Sequence, residues 1–308
     1  HNVITQFSDD ERRYIVYATG PIESGAYYFG NRDQKALYPI AYRYSQLPPE
    51  VLSQPQTVHY NARDGLAIEA FLTTPKDIVA KNLPTIIFPH GGPISYDSTT
   101  FDYWAQFLAN RGYAVLQMNF RGSSGYGFNF MNSGLKNWGL EMQTDIEDGT
   151  HWLIEQGISD PKRVCIVGAS YGGYAALMGV AITPNLYQCA ISVAGVTDLE
   201  YLVKSSRRYD NSKIVKKQIG DDYDDLYQRS PISKVANINV SVLLIHGTKD
   251  RVVRVQHSEE MYDALKDLHK PVKYIELENG DHYLSSNEHR LTTFIAIEHF
   301  LATNLGVK

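Results

Sequence analysis

The 308-residue chain is 43% hydrophobic and 20% charged, an ordinary globular composition with enough length to bury a large core in one or two domains. Its formal net charge of −5, with no basic cluster beyond Lys213 and Lys216-Lys217, excludes the electrostatic footprint of a nucleic-acid binder. No apolar run approaches the roughly 18 residues of a membrane helix, so a soluble protein with no membrane partner is expected.

Residues 1–55 read as strands and turns without helix. Tyr14-Ile15-Val16-Tyr17 and Ala26-Tyr27-Tyr28-Phe29 are broken by Gly20-Pro21, Gly25 and Asn31-Arg32-Asp33, and Leu47-Pro48-Pro49 then stops both ladder and helix. Two or three strands do not make a stable sheet alone, so this segment is expected to lean on the following domain or on something outside the chain. Thr57–Tyr60 and Leu66–Leu72, joined across Asn61 to Gly65, read as an antiparallel hairpin.

From there apolar strands alternate with helical stretches. Strands are expected at Thr85–Phe88, Tyr113–Met118, Val164–Val167, Ala190–Val193, Val240–Ile245 and Val272–Leu277. Helices are expected near 99–110, 141–156, 171–182, 257–268 and 287–303. The alternation predicts a parallel sheet with helices on both faces, whose active site forms on loops at the carboxyl ends of the strands. The Lys213–Lys217 cluster reads as a solvated helix face. Cys165 and Cys189 lie in apolar strand-like runs without metal or redox spacing, and are expected to be reduced core residues.

Gly168-Ala169-Ser170-Tyr171-Gly172 fits G-x-S-x-G, with a buried strand leading in and an apolar helix leading out. A turn that sharp leaves no room for side chains at Gly168 and Gly172. A serine hydroxyl is a poor nucleophile until a base takes its proton, and the base needs an orienting acid. In this motif the partners follow in the order Asp, His. Leu243–Asp250 ends one strand and delivers Asp250, and Ile275–His282 ends the next and delivers His282. His246 is read as a structural turn residue. His257, His269, His289 and His299 lie on helical stretches or their ends without a zinc pattern, so they are read as surface or core residues, and no metal site is expected. The donors for a developing oxyanion are expected in the Tyr171 N–H and in the Phe88–Pro93 loop with Gly91 and Gly92.

GASYGGYAA around Ser170, FPHGGP at 88–93, NFRGSSGYG at 119–127, LLIHGTKDRVV at 243–253 and ENGDHY at 278–283 resemble the catalytic domain of the prolyl oligopeptidase family of serine peptidases. The His-Gly-Gly-Pro form is closest to the acylaminoacyl-peptidase and related aminopeptidase branch. The resemblance implies an α/β-hydrolase fold over 56–308, with a mostly parallel eight-stranded sheet. Residues 1–55 resemble the end of a β-propeller and its linker. A fragment is therefore expected, its native N-terminus and an upstream propeller domain missing, and the resemblance is compatible with oligomerisation.

By the same resemblance Ser170 is the nucleophile, His282 the base and acid, and Asp250 the orienter, while Gly92 and Tyr171 form the oxyanion hole through their N–H groups. His90 occupies the place where some branches carry a tyrosine hydroxyl donor. Val196, Leu199, Leu202 and Val253, with Tyr171, are implied to line an apolar substrate pocket. Val252 replaces a carbonyl-binding asparagine of the dipeptidyl-peptidase branch. Arg121 and Arg254 are read as surface charges rather than substrate clamps. The expected reaction is hydrolysis of short peptides through an acyl-enzyme, without cofactor or metal. A carboxylesterase of the same fold is the alternative, and a non-catalytic interaction module a remoter one.

Overall fold

The computed structural model describes residues 1–306 and contains two sheets. The first is antiparallel, with β1 (Asn2–Phe7), β2 (Arg13–Gly20), β3 (Glu23–Asn31) and β4 (Ala36–Tyr42) side by side in chain order. The segment thus carries four strands where the turn pattern suggested two or three. The first and last of them are edge strands without an alternating buried face: every residue of β1 is exposed, as are all but the first of β4.

The second sheet has eight strands. It opens with the expected hairpin, β5 (Gln56–Asn61) and β6 (Ala67–Thr73), followed by β7 (Leu83–Ile87) and β8 (Ala114–Met118). β9 (Ser159–Ala169), β10 (Cys189–Val193), β11 (Ser241–Gly247) and β12 (Val272–Leu277) complete it, in the spatial order β12-β11-β10-β9-β7-β8-β6-β5. All neighbours from β12 to β8 are parallel, and β6 and β5 are antiparallel. This is the α/β-hydrolase-like arrangement, a mostly parallel sheet preceded by a separate antiparallel one.

Strand residues alternate between two cores, which explains why the central strands are apolar on both faces. Val164, Ile166, Val242 and Leu244 face one side, with Met142 and Ile146 of α3 (Glu141–Glu155), α4 (Tyr171–Ile182), and Met261 and Leu265 of α8 (Gln256–Asp267). Cys165, Val167, Leu243 and Ile245 face the other, with Leu108 of α1 (Tyr103–Asn110) and Ile297 and Leu301 of α9 (Asn287–Leu305). Asp102 starts α1 by accepting from the Trp104 N–H at 2.7 Å. In α4 all residues but Ile182 are buried, as its uninterrupted apolar sequence requires.

The expectation of reduced cysteines is overturned. Cys165 and Cys189 are register partners on adjacent strands, with Cα atoms 4.8 Å apart and both side chains on the α1/α9 face, and they form a disulfide. The periodicity did not reveal α2 (Phe128–Asn132), nor the three short helices between β10 and β11: α5 (Leu199–Ser206), α6 (Ser212–Ile219) and α7 (Tyr223–Gln228). Lys213 and Lys217 lie on the exposed part of α6. Among the described residues no helix is long and apolar enough to cross a membrane.

Candidate active site

Ser170 sits where β9 turns into α4, with φ 57° and ψ −119°, a conformation rare for a residue with a side chain. Two contacts hold it there. Its N–H donates to the Val193 carbonyl of β10 at 2.9 Å, and the glycines on either side permit close backbone packing. A Cβ on Gly168 would collide with the backbone of Gly172, and one on Gly172 with the carbonyl oxygen of Pro89. The second collision shows that the 88–93 loop lies directly against the turn, and a Cβ on Gly91 would stand 3.6 Å from that of Ser170.

Tyr171 is the first residue of α4, so its N–H has no acceptor within its own helix and lies at the positive end of the helix dipole. Gly92 has φ 121°, and its N–H makes no backbone hydrogen bond among the described residues. Beneath the turn the rings of His90 and Phe120 stack at 4.4 Å, Phe120 lies 5.3 Å from Tyr171, and Trp138 meets Tyr171 edge-on at 4.5 Å. Burial pushes His90 down to about 4, so its ring is neutral near pH 7.

Asp250 and His282 are brought together by stitching between the loops after β11 and β12. The Thr248 N–H donates to the Leu277 carbonyl at 3.0 Å, Lys249 to Gly280 at 2.9 Å, and Asn279 to the Thr248 hydroxyl at 2.7 Å. His282 Nδ1 then lies 2.6 Å from Asp250 Oδ2, with the carboxylate fully buried and the imidazole nearly so. The other oxygen, Oδ1, accepts from the Val252 and Val253 N–H groups at 2.8 and 2.9 Å. Burial alone would push the Asp250 carboxyl up, but hydrogen bonds from His246 and His282 and from the Val253 amide hold it well below the usual carboxylate range. Among the described residues neither Ser170 Oγ nor His282 Nε2 has a hydrogen-bond partner.

The residues expected to line a pocket divide. Val196, Leu199 and Val253 are buried in the main core around Tyr171, whereas Leu202 borders an open cavity of about 430 Å³ shared with Ser206, Val215, Val252 and Arg254. Arg254 therefore faces this cavity. Arg121 is not a surface charge: it is buried, paired through two nitrogens with the fully buried Asp145 at 2.7 and 2.8 Å, and bonded to Asp64 at 2.8 Å. His246 is more than a turn residue, because its ring reaches the Asp250 carboxylate. Sequence alone carried one hint of this, the four-residue spacing to Asp250, which has no directional meaning outside a helix.

A family model described as the prolyl oligopeptidase family matches residues 99–308. Dipeptidyl aminopeptidase BIII of Pseudoxanthomonas mexicana is 31% identical over 321 residues, covering 99% of this chain and 46% of that protein. The acylamino-acid-releasing enzyme of Rattus norvegicus is 29% identical, covering 78% and 34%. Among solved structures, a puromycin-hydrolyzing peptidase of Mycobacterium tuberculosis superposes with a TM-score of 0.87 at 25% identity, covering 96% of this chain and 46% of that one. An acylaminoacyl peptidase of Pyrococcus horikoshii gives 0.85 at 25% identity, with coverage of 99% and 50%. The chain spans about half the length of these solved structures and less than half that of the two sequence relatives.

Proposed function

The chain belongs to the prolyl oligopeptidase family, and from that premise we propose that it is the catalytic part of a serine peptidase that hydrolyses short peptides through an acyl-enzyme. Ser170 is the nucleophile, His282 the general base and then acid, and Asp250 the residue that orients His282. The observation that carries this reading is the 2.6 Å bond from His282 Nδ1 to the buried Asp250 carboxylate, on stitched loops at the same carboxyl edge of the parallel sheet as the turn from β9 to Ser170.

That bond puts the His282 proton on Nδ1 and leaves Nε2 unprotonated, the form able to take the Ser170 hydroxyl proton. As Ser170 Oγ bonds to the substrate carbonyl carbon, His282 becomes an imidazolium beside the Asp250 carboxylate. The carbonyl oxygen gathers negative charge, for which the N–H groups of Tyr171 and Gly92 are the donors, with the α4 dipole behind Tyr171. His282 gives its proton to the leaving amine, and water repeats the cycle to release the acid and restore Ser170. Among the described residues Ser170 Oγ and His282 Nε2 have no competing partner, which suits this role, and such bonds commonly tighten only with substrate present.

For the side chain on the acyl part of the substrate the reading is an apolar site with Leu202 at its open wall, backed by Val196, Leu199 and Val253, which are themselves buried in the core. Residues 56–308 form this catalytic domain, and 1–55 are strands of a propeller-like segment and its linker. The test is kcat/KM for an amide and an ester of the same aminoacyl group, with Ser170→Ala as blank. Amide turnover that disappears in the blank supports a peptidase, and ester turnover alone moves the assignment to an esterase. A folded protein whose Ser170 is not labelled by a fluorophosphonate ends the proposal.

A further inference from the structure

We propose that His246 is a positioning residue, whose Nε2–H fixes the plane of the Asp250 carboxylate for His282. The inference rests on the reading of Ser170, Asp250 and His282 given above, and it adds a fourth side chain to that set.

The hydrogen-bond partners determine where the His246 proton is. Nε2 lies 2.9 Å from the Val253 carbonyl oxygen, which only accepts, so Nε2 carries a hydrogen. In the neutral ring Nδ1 is then an acceptor, and Ser258 Oγ, 2.7 Å away, must donate to it. Ser258 thereby locks the tautomer. The same Nε2–H lies 3.3 Å from Asp250 Oδ2, the oxygen that also receives His282 Nδ1. His246 and Asp250 are both fully buried at the side chain, so no water competes for this bond.

Oδ1 therefore has two donors, the Val252 and Val253 amides, while Oδ2 has His282 Nδ1 at 2.6 Å and a longer contact of 3.3 Å with His246 Nε2, whose one hydrogen is shared with the Val253 carbonyl. The amides belong to the residues just after Asp250 and hold one oxygen only. The only other close partner of Oδ2 is His282, the ring that has to be positioned, so His246 supplies the one contact on that oxygen that does not move with the catalytic imidazole. His257, a further ring of the cluster, is buried with Nδ1 3.3 Å from the Thr197 N–H, and burial pushes it down to about 3.

The test compares His246→Leu, His246→Gln and Ser258→Ala with the parent. One readout is the second-order rate at which a fluorophosphonate labels Ser170 as a function of pH. The other is the low-field proton resonance of His282 Nδ1–H, which reports the His282–Asp250 bond whether or not Ser170 reacts. In the leucine variant labelling should slow about 10- to 100-fold, as for other losses of alignment near a reacting centre. Its acid limb should move up by roughly half a unit to one unit, because a carboxylate with one donor fewer attracts the imidazolium more strongly. The glutamine amide reaches the Nε2 position and should restore most of both properties, and Ser258→Ala, which leaves the Val253 carbonyl holding the hydrogen on Nε2, should stay closer to the parent than the leucine variant does.

Leucine and glutamine variants that match in rate, acid limb and resonance would reduce His246 to a packing residue. If the leucine variant does not fold, His246→Met takes its place, and a match to the glutamine variant in rate, acid limb and resonance overturns the inference. A folded parent whose Ser170 is not labelled overturns the triad reading instead, a separate result.

Discussion

Acidification should weaken this fold through His90, by an amount that follows from its surroundings. The ring is buried against Phe120, with Nδ1 2.7 Å from the Gly91 carbonyl and Nε2 2.9 Å from the Ser123 hydroxyl. Burial disfavours the imidazolium and moves the group from 6.5 to about 4, although the bond to Gly91 opposes the shift. Between these values the unfolded chain binds a proton that the folded chain refuses, so stability is full above about pH 6.5 and falls as the pH drops toward 4. At 1.36 kcal/mol per unit the gap corresponds to roughly 3 kcal/mol, most of it lost by about pH 4.5. His90→Gln removes the titration. Its absolute stability at neutral pH will be lower because the stack on Phe120 is lost, so the quantity to compare is the change with pH. Urea unfolding at about pH 7.5 and about pH 4.5 should show the parent losing roughly 2–3 kcal/mol more than the variant. His257 titrates in both proteins and cancels from the difference. Parallel pH profiles for the two would refute the argument that His90 is held neutral by burial.

Three further outcomes are expected. Gly172→Ala places a methyl group on the Pro89 carbonyl oxygen, and should cost about 1–3 kcal/mol in stability, read as a lowered Tm, together with slower labelling of Ser170. Arg121→Met leaves the fully buried Asp145 without its partner and should cost about 3–5 kcal/mol in urea unfolding. Arg12→Met breaks an exposed pair with Asp33 and should cost less than about 1 kcal/mol, so similar losses from both would contradict the burial assigned to Arg121. Denatured without reductant, the chain should expose no thiol to maleimide, and reduction should expose both Cys165 and Cys189.

The parallel core was legible because each central strand is a short apolar run between turn signals, and because Ser170, Asp250 and His282 all fall at strand ends. What escaped depends on tertiary pairing. The disulfide follows from the register of β9 against β10, which periodicity does not encode. Arg121 looks like any charged loop residue until Asp145 arrives from α3 to meet it. α5 to α7 are short, and in α6 only Ile219 is buried, so the apolar pattern is too brief to stand out. His246 was underrated because a histidine after a strand has many ordinary roles, and only the position of Ser258 and the Val253 carbonyl reveals which nitrogen carries the proton.

The strand order also sets a schedule for the ribosome. β9 enters the sheet beside β7, but the bond that seats the Ser170 amide waits for Val193 of β10, and the Ala194 amide in turn waits for the Ile245 carbonyl of β11. Each parallel neighbour arrives only after a crossover, so these contacts close late and over long stretches of chain. Asp250 and His282 emerge after all of them, and the stitching that joins their loops needs both β11 and β12. A nascent chain thus exposes the serine well before the segment that pairs with it has been translated. On the roles proposed for Asp250 and His282, Ser170 gains its base only after synthesis has passed the last strand.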